Sequence, residues 1–329
     1  SSVDRRLKIW EITSRELPLL AEHSGQVLAV AVSPDGNLIA TGSEDYTIKL
    51  WNAKTGAEIA TLTGHKSVLA LTFTPDSKRL ISSGEEREMR IWEVSPPREI
   101  PRTPQQATLY GPKAISAASS YMALDPKAQT LFVWIPPPPR DMRGVHRIDV
   151  IDFANSQFLY DFKEAGRIVK SVVFAPNGTL AATGGADGSV RLWDMNRKEA
   201  TMRPGGDWIL FPKVAFGDIA ITFDNARLIG TSTQGDVKIM NIADRKELKS
   251  FKAHDGAVYI CQACPDNKRF VTYGEDNIIK IWDMEGKELR RWDLGRNQGM
   301  FVINMAFTPN GQQIVTANKN STIYILDLP

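Results

Sequence analysis

QVLAVAVSPDGNLIATGSEDYTIKLWNAKTGAEIATLTGH, residues 26–65, divides into four short runs at 27–32, 38–41, 47–51 and 58–62. Each run alternates apolar and polar residues or is rich in β-branched ones, which is the strand pattern. Between them lie Pro34-Asp35-Gly36-Asn37, then 42–45, then 53–56. These are turn sequences, because Pro presets φ while Gly and Asn tolerate positive φ. Four strands in forty residues make an up-and-down meander with two partly apolar faces. Such a sheet is not stable alone and must stack on neighbours like itself.

The sequence supplies those neighbours. The tryptophan of the third run recurs as Trp51, Trp92, Trp193 and Trp282, and Ile151, Met240 and Leu326 take the same place in runs at 147–152, 236–242 and 321–328. A turn of the form F-x-P-x-G precedes several of them, as in Phe73-Thr74-Pro75-Asp76, Phe174-Ala175-Pro176-Asn177-Gly178 and Phe307-Thr308-Pro309-Asn310-Gly311. Weaker versions stand at Leu124-Asp125-Pro126, Phe223-Asp224-Asn225 and Ala263-Cys264-Pro265-Asp266. A length of 329 residues would ordinarily argue for two domains, but a repeat running through all of it argues for one ring, a single domain over 1–329.

The repeat resembles that of the WD40 family. Gly-His ahead of the first strand appears as Gly64-His65, with Glu22-His23 and Ala253-His254 as variants. Trp-Asp ending the third appears as Trp193-Asp194 and Trp282-Asp283, with Trp10-Glu11, Trp51-Asn52 and Trp92-Glu93 as variants. The resemblance implies an all-β chain, a seven-bladed β-propeller of four-stranded antiparallel blades. It also implies a structural hydrogen-bond set of His23, Thr41, Asp45 and Trp51 in one blade and of His254, Thr272, Asp276 and Trp282 in another. Partial sets are expected from His65, Glu86 and Trp92, and from Asp187 and Trp193 with Gly166 in the histidine's place. The blades built on Ile151, Met240 and Leu326 lack the set and are expected to be the softer side of the ring.

Closure is harder to read. Asp4 to Trp10 repeats the interval from Asp45 to Trp51, so the sequence opens inside a repeat. The economical solution pairs 16–20 with the three C-terminal strands, closing seven blades and removing the free edge. Residues 1–12 are then a surplus strand, which suggests a piece cut from a longer polypeptide. An eight-bladed ring with one incomplete blade is the alternative.

Composition excludes little else. A net charge of +2 is too mild for an electrostatic nucleic-acid footprint, and no run approaches the roughly 18 apolar residues of a membrane helix. No secretory leader opens the sequence, and a cytoplasmic location is expected. Cys261 and Cys264 form a C-x-x-C, but in a strand, residues three apart point to opposite faces about 10 Å from one another. Two buried thiols are expected rather than a disulfide or a metal site. No cofactor or metal is expected. A Ser/Thr-His-Asp group invites a hydrolase reading; its recurrence from blade to blade argues for structure, since a catalytic set would occur once.

Function is sought where the sequence departs from its own repeat, because loops carry binding residues on a rigid scaffold. Three insertions stand out: 95–112, 136–146 and 204–215. They are expected on one rim, where Arg140, Arg143, His146, Trp208 and Phe211 would supply the Arg and aromatic anchors that interfaces favour. Family habit adds Glu44, Glu85 and Glu275, before or within the turn acids, and Gln26, Lys66 and Asp255, near the histidine position. The expected function is a non-catalytic scaffold that binds a protein or peptide on this top face. The alternatives are a nucleic-acid reader using Arg140, Arg143 and Arg147, and a sensory or regulatory domain of a larger enzyme.

Overall fold

The computed structural model describes residues 23–86, 88–101, 122–124, 130–135, 146–153, 155, 157–164, 169–195, 201–202, 208–295 and 301–329. The leading meander forms as read: Val27–Val32, Leu38–Ser43, Thr47–Asn52 and Glu58–Thr63 pair in that order, antiparallel throughout. Six further sheets follow, over 68–99, 122–164, 169–209, 216–252, 258–293 and 302–327. They are numbered here as blades 1 to 7 in chain order. Among the described residues there is no helix, hence none long and apolar enough to cross a membrane.

The seven sheets do not share one core. Seven separate apolar clusters lie between consecutive blades. Ile48, Leu50 and Leu62 of blade 1 pack on Val68, Leu71 and Phe73 of blade 2. At the other end, Val27, Val30, Ile39 and Trp51 of blade 1 pack on Val315, Ala317 and Ile323 of blade 7. That last cluster closes the ring at seven blades, so the eight-bladed alternative does not hold. The architecture is a β-propeller: first strands contact first strands around the axis, and each blade is stable only because two neighbours cover it.

The tryptophan position reads through the divergent blades. Trp51 pairs with Ile39, Trp92 with Leu80, Trp193 with Ala181 and Trp282 with Phe270; Ile151, Met240 and Leu326 hold the same register against Leu131, Leu228 and Ile314. All seven are buried. A second register marker escaped the sequence reading. The third and outer strands are bridged by Lys49–Glu58 at 2.7 Å, Arg90–Glu99 at 2.9 Å and Lys238–Glu247 at 2.7 Å. Each pair is nine residues apart, a spacing visible in the sequence once the hairpin register is known.

Two of the three insertions contain structure where links were expected. Within 95–112, Pro97–Glu99 is the outer strand of blade 2, opposite Trp92 to Val94. Proline is tolerated there because the strand lies at the sheet's edge. Within 204–215, Trp208–Ile209 pairs with Val190 and Ser189, while Thr201–Met202 pairs with Trp193 and Asp194. The outer strand of blade 4 is therefore made in two pieces. Residues 1–12, the strand expected at 16–20, Gly166 and most of 136–146 lie outside the described residues. Among the described residues blade 7 has three strands, Val302–Phe307, Gln313–Asn318 and Ile323–Asp327.

The turn from second to third strand repeatedly requires a left-handed residue. Gly188, Gly235 and Asn277 fill it at φ of 78°, 93° and 61°, whereas blade 1 places Tyr46 there at φ 73°. Tyr46 is 58% exposed, so little packing offsets a conformation that disfavours a Cβ. Tyr46→Gly is expected to stabilise the chain by about 1 kcal/mol, read as an upward shift of its denaturation midpoint.

Candidate functional site

Strand direction alternates within each blade, so the second-to-third turns and the links into the first strands meet on one face. That face, the upper one, carries most of the residues singled out from sequence. Its turn acids are committed inward. In blade 1 the Trp51 indole donates to Thr41 Oγ1 at 2.8 Å, Thr41 lies 2.8 Å from His23 Nε2, and His23 Nδ1 lies 2.9 Å from Asp45. Blade 6 repeats the arrangement through Trp282, Thr272, His254 and Asp276 at 2.8, 2.7 and 2.8 Å. Blade 2 completes the set with Ser82 for Thr and Glu86 for Asp: Trp92 donates to Ser82 at 2.7 Å, Ser82 meets His65 at 2.6 Å, and His65 pairs with Glu86. The expectation of a partial set there is corrected, because a serine hydroxyl reaches as far as a threonine's. In blade 4 Trp193 donates to Thr183 Oγ1 at 3.1 Å, and the Ser189 hydroxyl donates to Asp187 at 2.8 Å.

Burial dominates the histidine electrostatics. It lowers the pKa of His23 and His254, outweighing the raising effect of the hydrogen bond to Asp45 or Asp276. The imidazoles are therefore neutral, and one proton arrangement serves the whole chain: indole N–H to hydroxyl, hydroxyl to Nε2, Nδ1–H to carboxylate. In blades 1 and 6 the hydroxyl proton is spent on the histidine, and Thr41, Ser82 and Thr272 are all wholly buried. These sets hold loops to strands. Thr272→Val is expected to cost about 2 kcal/mol by leaving the Trp282 N–H without an acceptor, measurable by urea denaturation.

The residues next to these turns are differently placed. Glu44, Glu85 and Glu275 each donate a backbone N–H to the carbonyl just ahead of the first strand, of Gln26, Ser67 and Ala257 respectively, at 3.0, 3.0 and 2.7 Å. All three side chains are exposed, as are Lys66 and Asp255, while Gln26 is half-buried. The inserted rim is less open than expected. Phe211 is only 4% exposed and packs edge-on against Phe216 at 5.1 Å, so it is core and not a surface anchor. Trp208 is half-buried with Arg245 over its ring at 5.9 Å. The backbone of His146 begins a strand, His146–Asp152; its side chain, with Arg140 and Arg143, lies outside the described residues.

The first strands themselves hold features that periodicity did not reveal. In six blades a bulge follows the first residue, leaving Leu28, Leu69, Lys170, Gly217 with Asp218, Tyr259 and Ile303 off the ladder. A bulge re-aims its side chain. Asp218 uses this to reach two other blades: it accepts from Ser171 Oγ of blade 4 at 2.6 Å and from the Cys261 N–H of blade 6 at 2.8 Å, besides its own neighbour Ile219 N–H at 2.9 Å. Desolvation raises its pKa to about 6 against those three hydrogen bonds. Cys261 and Cys264 are buried free thiols, and burial pushes both pKa values up, that of Cys264 to about 11. Among the described residues no group of acidic, histidine or cysteine side chains is arranged to hold a metal.

Comparison with known proteins agrees with this geometry. The family described as WD domain, G-beta repeat matches at residues 15–52, 56–93, 156–194 and 245–283. The periodic tryptophan protein 2 homolog of Dictyostelium discoideum is 24% identical over 97% of this chain and 30% of its own length. Transducin beta-like protein 3 of Bos taurus is 33% identical over 37% of this chain and 15% of its own, and Protein groucho of Drosophila melanogaster 21% over 50% and 22%. The chain thus spans less than a third of the length of these curated relatives. With WD40 repeats at four positions, the tryptophan-centred hydrogen-bond sets and a seven-bladed ring, the chain belongs to the WD40-repeat family of β-propellers.

Proposed function

We propose that this chain is a non-catalytic scaffold that binds a protein or peptide on its upper face. The observation that carries the reading is the division of labour among the acids there. Asp45, Glu86 and Asp276 are consumed in holding the blades, while Glu44, Glu85 and Glu275, fixed by the same turns, face solvent with Asp255, Gln26 and Lys66 around them. A ring that fixes charged groups in advance loses little entropy on binding, so modest contacts suffice for affinity. The half-buried Trp208 beside Arg245 would extend the same rim.

The test is retention of protein from a lysate of the source by three immobilised forms of the chain. One is the natural sequence, one carries Glu44→Lys, Glu85→Lys and Glu275→Lys, and one carries Lys54→Glu and Lys268→Glu, which are exposed on the opposite face. A protein held by the first and third and lost by the second is the expected result. Equal retention by all three, or loss only from the third, overturns the upper-face reading.

A further inference from the structure

Blade 6 differs from the others at its bulge. Where the corresponding first strands carry Leu28, Leu69, Lys170, Gly217 or Ile303, blade 6 carries Tyr259, 40% exposed. Its ring lies 5.2 Å from that of Phe301, itself 38% exposed, at the entry to the first strand of blade 7. Both rest on Tyr273, wholly buried, at 6.4 and 5.5 Å. Tyr273 is fixed in turn: its hydroxyl donates to Asn277 at 2.5 Å, and the Asn277 amide donates to the Gly295 carbonyl at 2.7 Å. The two exposed rings therefore sit on a rigid base.

A carboxylate completes the corner. Glu275 Oε2 accepts from the Ala257 N–H at 3.1 Å, and the other oxygen has no hydrogen-bond partner among the described residues. A Cβ on Gly256, at φ 116°, would stand 2.6 Å from Oε2, so the carboxylate is folded over a backbone that only glycine leaves open. It is near enough for its charge to add to desolvation in raising the Tyr259 pKa. Five other aromatic rings already carry a cation of this chain: Trp51 has Lys49, Phe211 has Lys238, Trp208 has Arg245, Trp282 has Lys280 and Trp292 has Arg290. Among the described residues, Tyr259 and Phe301 carry none. Lys319 bonds to Phe301 through the backbone alone, N–H to carbonyl at 2.8 Å.

We infer that Tyr259, Phe301 and Glu275 form a seat for one cationic side chain, a lysine ammonium or arginine guanidinium, presented by the protein partner. Two π faces attract a cation on their quadrupoles, the carboxylate supplies the counter-charge, and the apolar rings cover the aliphatic stem. The seat rests on the docking reading above and names the chemistry that reading leaves open.

The experiment titrates N-acetyl-lysine methylamide, N-acetyl-arginine methylamide and the neutral N-acetyl-norleucine methylamide into chain labelled with fluorotyrosine and fluorophenylalanine. Fluorine NMR resonances of Tyr259 and Phe301 are assigned from Tyr259→Leu and Phe301→Leu, and an unchanged thermal melt verifies each variant's fold. At least one cationic probe is expected to shift both rings along one saturating curve, with norleucine silent and Glu275→Gln weakening the cation about fivefold. Rings that respond equally to norleucine, or to none of the three, overturn the seat. The titration needs no partner. A captured protein with silent rings sinks the seat alone; responsive rings with no protein lost on upper-face charge reversal sink the docking reading alone.

Discussion

Asp218→Ala is expected to destabilise the chain by about 4 kcal/mol, because it strips an acceptor from Ser171, Ile219 and Cys261 together, across three consecutive blades. The loss should show as a lower urea midpoint. The isosteric Asp218→Asn separates charge from shape. The carboxylate's pKa of about 6 in the fold lies above its ordinary 3.8, so the folded chain binds that proton more tightly than the unfolded one. The resulting stability is fully present below about pH 4 and is lost as pH rises through 6. At about 1.4 kcal/mol per unit the swing is at most about 3 kcal/mol, reduced by water at the half-buried residue's open edge. Other groups run the opposite way. The lowered pKa values of His23 and His254 make those residues stabilise with rising pH, and Glu86, held down at about 2, protects only above that range. The informative quantity is therefore the difference between the natural chain and Asp218→Asn, measured from pH 4 to 7. A difference that does not change with pH would place the titration elsewhere.

Gly188→Ala should be comparably severe, by about 4 kcal/mol. At φ 78° a methyl group is strained wherever it points. Here it would also stand 1.7 Å from the Phe211 carbonyl oxygen and 2.6 Å from that of Val214. Both obstacles are backbone and cannot swing aside. The segment that carries Trp208, Ile209 and Phe211 would have to leave blade 4, breaking the bonds from Leu210 and Phe211 N–H to the Gly188 carbonyl, each 3.0 Å. Phe211 would then vacate the cluster it shares with Leu180, Leu192 and Phe216. Hydrogen exchange at Leu210 and Phe211 should accelerate far more than at blades 1 and 6. Equal acceleration throughout would mean that this segment is not docked as a separate unit.

Both predictions fall where the repeat is broken, and that marks the boundary of what was legible beforehand. The strands of the regular repeats, their turn positions and the tryptophan register follow from the sequence, because each depends on periods of two along a strand and of about forty along the chain; seven blades rather than eight was decided by the cluster between blades 1 and 7. Those periods survive Ile151, Met240 and Leu326 because burial accepts any apolar side chain of suitable size. The inserted segments misled for the opposite reason. Pro97–Glu99 and Trp208–Ile209 lack the alternating pattern of a strand, and become strands only because blades 2 and 4 present an unpaired edge to them.

The upper-face acids lie between these cases. That Asp45 and Asp276 turn inward while Glu44 and Glu275 face out could be read from the family pattern, and the geometry bears the same division. The contacts of Asp218 and the grouping of Tyr259, Phe301 and Glu275 could not be read so. Asp218 meets Ser171 and Cys261 from 47 and 43 residues away, and Tyr259 meets Phe301 from 42. The sequence alone determined the strands that keep the repeat and the alternation of side chains along them. The tertiary structure decided which bulged residues of neighbouring blades converge, because that depends on ring closure and on how far each bulge turns its side chain, and neither leaves a periodic trace along the chain.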